Sequence, residues 1–287
     1  MKAGINLLLW TDKPSAQHLP LLGQIQRWGF DGVEFPVLAM EPKDVQILGR
    51  RCDELGLKRT CIAALTAESA DPTHPDRALR EAALVELKKC IDKTQEIGAD
   101  ILVGPFHQGL GRFTGKGPTD EDLQRSAEVI RKAAEYAATA HIDLAIEPLN
   151  RFEMFLTNTV DAAAQFVTRV GIPNVGILAD THHANIEEEN PAESWRRVIR
   201  QIKHVHISEN HRGIPGSGQA CTAGIFQMLR ETGYDRWLTI EAFGLQVPGL
   251  IQPLHLWRPL FDKEEDVAVL GLKHIREGWA NAQAHPA

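Results

Sequence analysis

The length, composition and charge of the chain exclude several classes of protein. It has 287 residues, of which 43% are hydrophobic and 24% are charged, and this ordinary globular usage excludes disordered and fibrous proteins. The formal charge of −7 predicts no nucleic-acid partner and no membrane partner, because both select for a basic surface. The length is close to the roughly 250 residues of a single (β/α)8 barrel.

The cysteines and the N-terminal sequence favour a cytoplasmic protein. Cys52, Cys61, Cys90 and Cys221 lie far apart without a C-x-x-C pair, which predicts buried, reduced thiols rather than a zinc or disulfide site. The apolar run at residues 5–10 is too short for a signal segment, and no small-residue cleavage site follows it.

Short apolar or β-branched runs alternate with helical patterns from one end of the chain to the other. The predicted strands are residues 4–9, 32–35, 58–63, 101–103, 142–147, 175–180, 204–208 and 238–241. Between them, stretches such as 77–97 and 119–140 repeat apolar residues at three- and four-residue spacing, which is typical of amphipathic helices. Thr119, and either Asn158 or Thr159, precede acidic first turns and are predicted N-caps. Left-handed glycines are expected after five helices, at Gly29, Gly56, Gly98, Gly171 and Gly233.

Eight strand–helix units predict an α/β protein with a (β/α)8 TIM-barrel fold. We expect one domain over residues 1–287, with a long apolar loop at 244–262 after the eighth strand. The alternative fold, a doubly wound open sheet, usually binds a nucleotide at a glycine-rich first turn. The first turn here carries no G-x-G-x-x-G, so the barrel is preferred. In a barrel, the chemistry is expected at the carboxyl ends of the strands.

The last four predicted strands each end in a side chain that can bind a metal ion. These side chains are Glu147, Asp180, His206 and Glu241. Because alternate residues of a strand share one face, all four can point into the mouth of the barrel. Three buried carboxylates beside one imidazole would be costly without a cation, so the pattern predicts one divalent metal ion. Oxygen-rich coordination favours Mn²⁺, with Co²⁺ or Mg²⁺ as alternatives.

Such a metal site is suited to proton transfer beside a carbonyl group. A ketone and a neighbouring hydroxyl could chelate the ion, which would acidify the carbon between them. Inverting that carbon through a planar cis-enediolate requires one acid/base group on each face. Glu147 and Glu241 are the predicted pair.

Several segments resemble the ketose 3-epimerase branch (D-tagatose and D-allulose 3-epimerases) of the xylose-isomerase-like superfamily. They are EPLNRFE at 147–153, DTHHANIEE at 180–188, HVH at 204–206 with Arg212, IEAF at 240–243, and the pair at 257–258. The resemblance spans most of the chain and is most specific from 147 to 258. It implies an isomerase that inverts C3 of a free ketose of the D-tagatose, D-fructose, D-allulose or L-ribulose type. It also implies that Glu147 and Glu241 are both metal ligands and the proton-transfer pair, with Asp180 and His206 as the other ligands.

The resemblance assigns further residues to the sugar and leaves some segments open. Glu153, His183 and Arg212 would contact the sugar hydroxyls at the C1 to C3 end. The segment 104–109 departs from the branch and should face the far end of the sugar, and the role of His107 stays open. His204 and His182 are expected to be structural.

Two loops are expected to lie near the site. The glycine-rich loop at 213–218 lacks the Gly-Lys-Ser/Thr ending of a phosphate loop and is interpreted as a flap. The apolar loop at 244–262 is expected to cover the site and to pack against another subunit, in a homodimer or homotetramer.

Other functions remain alternatives at this stage. An isomerase or dehydratase acting on a hydroxypyruvate- or inosose-type compound would use similar metal chemistry. An AP-endonuclease-like hydrolase is suggested by the spacing of Asp180 and His183, but strand three ends in Ala63-Ala64 without a histidine and the chain is acidic. A non-catalytic sugar-binding barrel would not need two glutamates on opposite sides of its ligand.

Overall fold

The structure of the protein, a computed structural model, describes residues 1–282; residues 283–287 of the predicted domain lie outside this range. Within the described residues, eight parallel strands close into one barrel. The strands are β1 (Lys2–Asn6), β2 (Gly32–Pro36), β3 (Lys58–Ile62), β4 (Ile101–Gly104), β5 (Asp143–Ile146), β6 (Val175–Asp180), β7 (Ile202–Ile207) and β8 (Trp237–Ile240). The barrel closes where Ile5 of β1 pairs with Ile240 of β8 on one side and with Val33 of β2 on the other. The predicted single-domain TIM barrel is confirmed.

Helices on the outside of the barrel connect most of these strands. They are α1 (Leu19–Trp28), α2 (Pro42–Leu55), α3 (Arg77–Glu96), α4 (Asp120–Thr139), α5 (Val160–Val170), α6 (Thr181–Glu187), α7 (Pro191–Val198), α8 (Ala223–Glu231), α9 (Pro248–Ile251) and α10 (Glu264–Asn281). Short 3-10 turns lie at Leu7–Leu9, Ala16–His18 and Ile199–Gln201. Residues Leu65–Thr66 and Gly109–Leu110 pair as a small separate sheet. No helix within residues 1–282 is both long enough and apolar enough to cross a membrane.

The helix ends are where local chemistry predicts them. The Thr119 hydroxyl accepts from the Asp122 amide and the Asp122 carboxylate accepts from Thr119, which makes a reciprocal capping box at the start of α4. Thr159, rather than Asn158, caps α5. The five predicted glycines all have positive φ, between 68° and 93°, so they end their helices in the left-handed conformation that glycine adopts without steric cost.

The first strand is shorter than its apolar run predicts. It ends at Asn6 rather than at residue 9, because the Asn6 side chain accepts a hydrogen bond from the amide of Leu8 and turns residues Leu7–Leu9 into a 3-10 turn. Asn6 therefore lies at the mouth of the barrel instead of in the middle of a strand.

The barrel interior is filled with apolar side chains below the mouth. This inner layer consists of Ile62, Ile101, Val103, Ala145 and Leu178. Ala145 and Leu178 precede Glu147 and Asp180 by two residues, so strand alternation places each carboxylate above an apolar neighbour. The four cysteines are buried and free, as expected.

Candidate metal centre and active site

The four predicted metal-binding side chains meet at the carboxyl end of the barrel. Glu147 and Glu241 directly follow β5 and β8, Asp180 ends β6, and His206 lies near the end of β7. One ligand atom from each lies within 4.8 Å of the others. From His206 Nδ1 the distances are 3.4 Å to Glu241 Oε1, 3.7 Å to Asp180 Oδ2 and 4.0 Å to Glu147 Oε1. The structure thus brings all four together, and their role as ligands stays a prediction.

Local backbone contacts place these side chains at the mouth. The amide of Glu147 donates to the Gly104 carbonyl of the neighbouring strand, and the amide of Glu241 donates to that of Ile207. Oδ1 of Asp180 caps α6 by accepting from the amides of the next two histidines, His182 and His183. Its other oxygen is left to face His206, so one carboxylate both begins a helix and completes the cluster.

Two atoms of the cluster indicate that a cation fits there. Glu147 Oε1 and His206 Nδ1 are buried, and neither makes a hydrogen bond to any described residue. Leaving a buried polar atom unsatisfied costs about 1–3 kcal/mol. A divalent ion between three carboxylates and one imidazole would satisfy both atoms, and this donor set suits a hard or borderline ion.

The electrostatics of the cluster lead to the same conclusion. Burial, reinforced by the neighbouring carboxylates of Glu241 and Asp180, raises the pKa of Glu147 well above its usual value. Burial alone would lower the pKa of His206, but the carboxylates of Glu34 and Glu241 outweigh it and raise that pKa well above normal. Neighbouring carboxylates contribute to both shifts, although burial is the larger cause for Glu147. A bound cation would offset this concentration of negative charge.

Glu34 of β2 is a site residue that sequence reasoning missed. Its Oε1 accepts from His206 Nε2 at 2.7 Å and from Asn6 Nδ2 at 3.0 Å, and its Oε2 accepts from Thr60 Oγ1 at 2.8 Å. Because Nε2 donates to Glu34, Nδ1 is the ring nitrogen that faces the three carboxylates, and it would supply its lone pair to an ion bound among them. The sequence signal was a glutamate inside an otherwise apolar strand, since buried charges require partners.

Two other groups of residues could also hold a metal, and hydrogen bonds already occupy part of each group. Glu34, His204 and His206 form one group, but the Glu34 oxygens accept from three donors, and His204 Nε2 lies 3.0 Å from this carboxylate. In the other group, which includes His182 and His183, each Nδ1 has a backbone partner. The structural roles expected of His204 and His182 stay predictions, since the buried ring nitrogens of His204 make no hydrogen bond within residues 1–282.

The three predicted sugar-binding residues border the same centre. Nη1 of Arg212 donates to Glu241 Oε2 at 2.8 Å, and its Nη2 lies 3.0 Å from His183 Nε2. Nδ1 of His183 accepts from the Asn150 amide at 3.1 Å, and Nε2 of the same ring lies 3.7 Å from Glu147 Oε1. Glu153 Oε1 accepts from Asn150 Nδ2 at 2.7 Å. Asn150 thus holds two of the three predicted residues.

A cavity of about 150 Å³ opens above this centre. The polar or charged side chains that line it are Glu147, Glu153, His183, Arg212 and Glu241. The apolar side chains that line it are Leu8, Ile62, Ala64, Pro105, Leu110, Leu149, Phe243, Leu250, Pro253 and Leu254. Within the segment 104–109, Pro105 borders the cavity. His107 is instead fully buried, 2.7 Å from Thr157 Oγ1 and packed against Phe166, so it contributes to the support of the mouth.

Comparison with known proteins agrees with this architecture. The family model described as "Xylose isomerase-like TIM barrel" matches residues 22–277. The chain is 31% identical to an L-ribulose 3-epimerase of Mesorhizobium japonicum, over 96% of this chain and 92% of the relative. It is 30% identical to a ketose 3-epimerase of Arthrobacter globiformis, over 96% of each chain. A solved L-ribulose 3-epimerase structure, 30% identical, superposes with a TM-score of 0.92 over 98% of this chain and 95% of that one. The chain therefore belongs to the xylose isomerase-like TIM-barrel family and, within it, to the ketose 3-epimerases, which are isomerases of carbohydrates.

Proposed function

We propose that the protein inverts C3 of a free ketose of the D-tagatose, D-fructose, D-allulose or L-ribulose type, with one divalent metal ion held by Glu147, Asp180, His206 and Glu241. The observation that carries this proposal is the position of two buried carboxylates, Glu147 and Glu241. Both lie within 4.0 Å of His206 Nδ1, and both border one cavity. The names of the relatives support a ketose as the substrate. Among the candidate ions we favour Mn²⁺, with Co²⁺ or Mg²⁺ as alternatives.

In this proposal the two glutamates transfer the proton. A divalent ion, when bound, would polarise the carbonyl and neighbouring hydroxyl of the sugar. One glutamate then takes the proton from C3, and the electrons of the C–H bond form the cis-enediolate. The other glutamate delivers a proton to the opposite face of C3, so that the carbon is inverted.

The remaining residues hold the reactants in place. Arg212 binds Glu241 and fixes the direction of its carboxylate, while His183 borders the cavity and would make a hydrogen bond to a sugar oxygen. Glu153 also lines the cavity and would accept hydrogen bonds from sugar hydroxyl groups. Leu250 and Leu254 border the cavity and would exclude water from the enediolate.

Deuterium exchange tests the proposal directly. Metal-stripped protein, with and without Mn²⁺ or Co²⁺, is incubated in D₂O with D-fructose, D-tagatose, D-allulose and L-ribulose, and NMR follows deuterium at C3. We expect exchange and appearance of the epimer only when a metal is added. Exchange without metal would contradict the role of the ion, and the absence of exchange on every ketose would favour a hydroxypyruvate- or inosose-type substrate.

A further inference from the structure

The loop between β7 and α8, residues 208–222, wraps around a buried carboxylate. Glu209 is fully buried. Its Oε1 accepts from the amides of Asn210 at 3.0 Å and Ala220 at 2.6 Å, and its Oε2 accepts from the amide of Gly216 at 2.9 Å. Burial would raise the pKa of Glu209, but the backbone hydrogen bonds, led by that from Ala220, lower it. The carboxylate is therefore held as an anion by backbone donors from both ends of the loop.

The glycines of this loop fit the carboxylate closely. A Cβ on Gly218 would lie 2.2 Å from Asn210 Oδ1 and 2.7 Å from Glu209 Oε1. Gly216 has φ of 85°, in the left-handed region that favours glycine. Asn210 Oδ1 also accepts from the Gln219 amide at 3.0 Å. Close approach to Glu209 thus explains the glycine at position 218, in the segment that the sequence analysis interpreted as a flap.

Arg212 lies inside the closed part of this loop. Its φ of 61° is disfavoured for a residue with a side chain, so the surrounding structure must hold this conformation. The Arg212 amide donates to the Glu209 carbonyl at 2.9 Å, and its carbonyl accepts from the Phe243 amide at 3.1 Å. From this position the guanidinium reaches Ser208 Oγ at 2.9 Å and Glu241 Oε2 at 2.8 Å.

We propose that Glu209 is a positioning residue for Arg212. The Glu209 carboxylate holds the two ends of the loop together and so fixes the backbone of residue 212. The Arg212 guanidinium then lies beside Glu241 and borders the cavity. Glu209 makes this contribution through the loop, since its oxygens are occupied by backbone amides. A loop that is closed in advance does not have to order itself when the substrate binds. The catalytic consequence rests on the proposed function, because it needs Arg212 to act on the sugar.

A double-mutant cycle tests whether Glu209 acts through Arg212. In Glu209→Gln, an amide NH₂ faces backbone donors, so at least one of them loses its acceptor. We expect kcat/KM for C3 epimerisation to fall about ten- to a hundredfold in the wild-type background and less than about threefold in Arg212→Ala. If the losses in kcat/KM from Glu209→Gln and Arg212→Ala multiply in the double mutant, Glu209 acts independently of Arg212 and the proposal is overturned. Glu265→Gln, an exposed glutamate of α10, is the matched control and should leave activity unchanged.

Gly218→Ala provides a second route to the same answer if Glu209→Gln fails to fold. It keeps the carboxylate and places a methyl group against it, so its effect should also shrink when Arg212 is replaced by alanine. Effects of Gly218→Ala that multiply with those of Arg212→Ala would overturn the proposal.

Hydrogen exchange of the substrate-free protein separates this proposal from the proposed function. We expect peptides covering residues 209–221 to exchange faster in Glu209→Gln and Gly218→Ala than in wild type or Glu265→Gln, as measured by mass spectrometry. Unchanged exchange in both variants would show that the carboxylate does not hold the loop. If the wild-type protein epimerises no ketose, but the loop still exchanges faster in the variants than in wild type, the proposed substrate is refuted. The role of Glu209 in the loop is then still supported.

Discussion

Glu147 and Glu241 are the same residue type in different surroundings. Glu241 is held by Arg212 through Oε2, and its Oε1 accepts from Asn6 Nδ2 at 3.4 Å. Glu147 Oε1 has no hydrogen-bond partner among residues 1–282. The proposed proton-transfer pair is therefore asymmetric, and the two carboxylates are expected to respond differently to substitution.

Glu147→Gln and Glu241→Gln should each reduce kcat by about 10²- to 10⁴-fold, the usual contribution of a general acid or base. Both groups are needed for inversion, whereas proton exchange on one face of C3 requires only one. For a given starting epimer, NMR in D₂O should therefore show residual C3 exchange in only one of the two variants. Because both residues are predicted ligands, bound metal is measured in parallel at saturating Mn²⁺. Full epimerisation by either variant would refute the two-base assignment.

Glu34→Gln should weaken metal binding about ten- to a hundredfold, because Glu34 orients His206 without being one of the four predicted ligands. An amide at position 34 can present its NH₂ to His206 Nε2 and so disturb the imidazole that faces the carboxylates. Isothermal titration with Mn²⁺ measures the affinity, and thermal unfolding checks that the fold is retained. Glu265→Gln is the control, and an unchanged affinity in a folded Glu34→Gln protein would remove Glu34 from this role.

The four predicted metal ligands could be recognised in the sequence, whereas Glu34 and Glu209, which position other site residues, could not. Glu147, Asp180, His206 and Glu241 could be predicted because each lies at or beside the carboxyl end of a strand, and parallel strands end at the same edge of the barrel. Glu34 lies 172 positions from His206, and no local pattern relates the two residues. Glu209 was hidden for a different reason, since its partners are backbone amides that carry no sequence signature.

At the scale of elements, the segment between β8 and α10 is more ordered than the predicted loop at 244–262. It contains the short helix α9. Leu250, Pro253 and Leu254 border the cavity, and Leu256 is buried. Its apolar pattern predicted burial, but the choice between the site and another subunit depends on three-dimensional contacts. In this chain, part of the segment faces the site.

Replacing Leu250 and Leu254 together by alanine should lower kcat/KM about tenfold or more, within the range for lost apolar contacts in a substrate pocket. The two leucines are among the apolar residues that line the cavity, so their loss enlarges the cavity and admits water. Steady-state kinetics on the best ketose measures the effect. Leu245→Ala in the same segment is the matched control, because Leu245 is 37% exposed. Equal effects of the control and the double variant would argue against a covering role.

At the scale of the whole molecule, the barrel was predictable because eight strand–helix units leave few ways to pack. Each strand pairs with its neighbours in parallel, and β8 returns to β1. The pattern of elements gave no information about register, which decides whether Glu147 and Asp180 face the same cavity. Register depends on packing between strands that are distant in sequence, and the apolar layer beneath the mouth provides this packing.

The assembly of the protein is a further property at this scale, and the exposed aromatic residues near the mouth lead us to propose a homodimer or homotetramer. Phe152 is 75% exposed and Trp257 is 70% exposed. They follow β5 and β8, so both lie on the side of the barrel that carries the site. Large exposed apolar side chains on one face are typical of protein–protein contacts.

Light scattering should therefore give a mass of about two or four times the 31.8 kDa of one chain. Phe152→Glu and Trp257→Glu together should shift the protein toward the monomer, because a charge buried at an interface without a partner opposes association. Val85→Glu on α3 is the control, since Val85 is 51% exposed on a different element and its replacement should leave the mass unchanged. A monomeric wild-type protein would contradict the proposed homo-oligomer. The two aromatic residues would then make no contact with another subunit, and the segment after β8 would act only as a cover for the cavity.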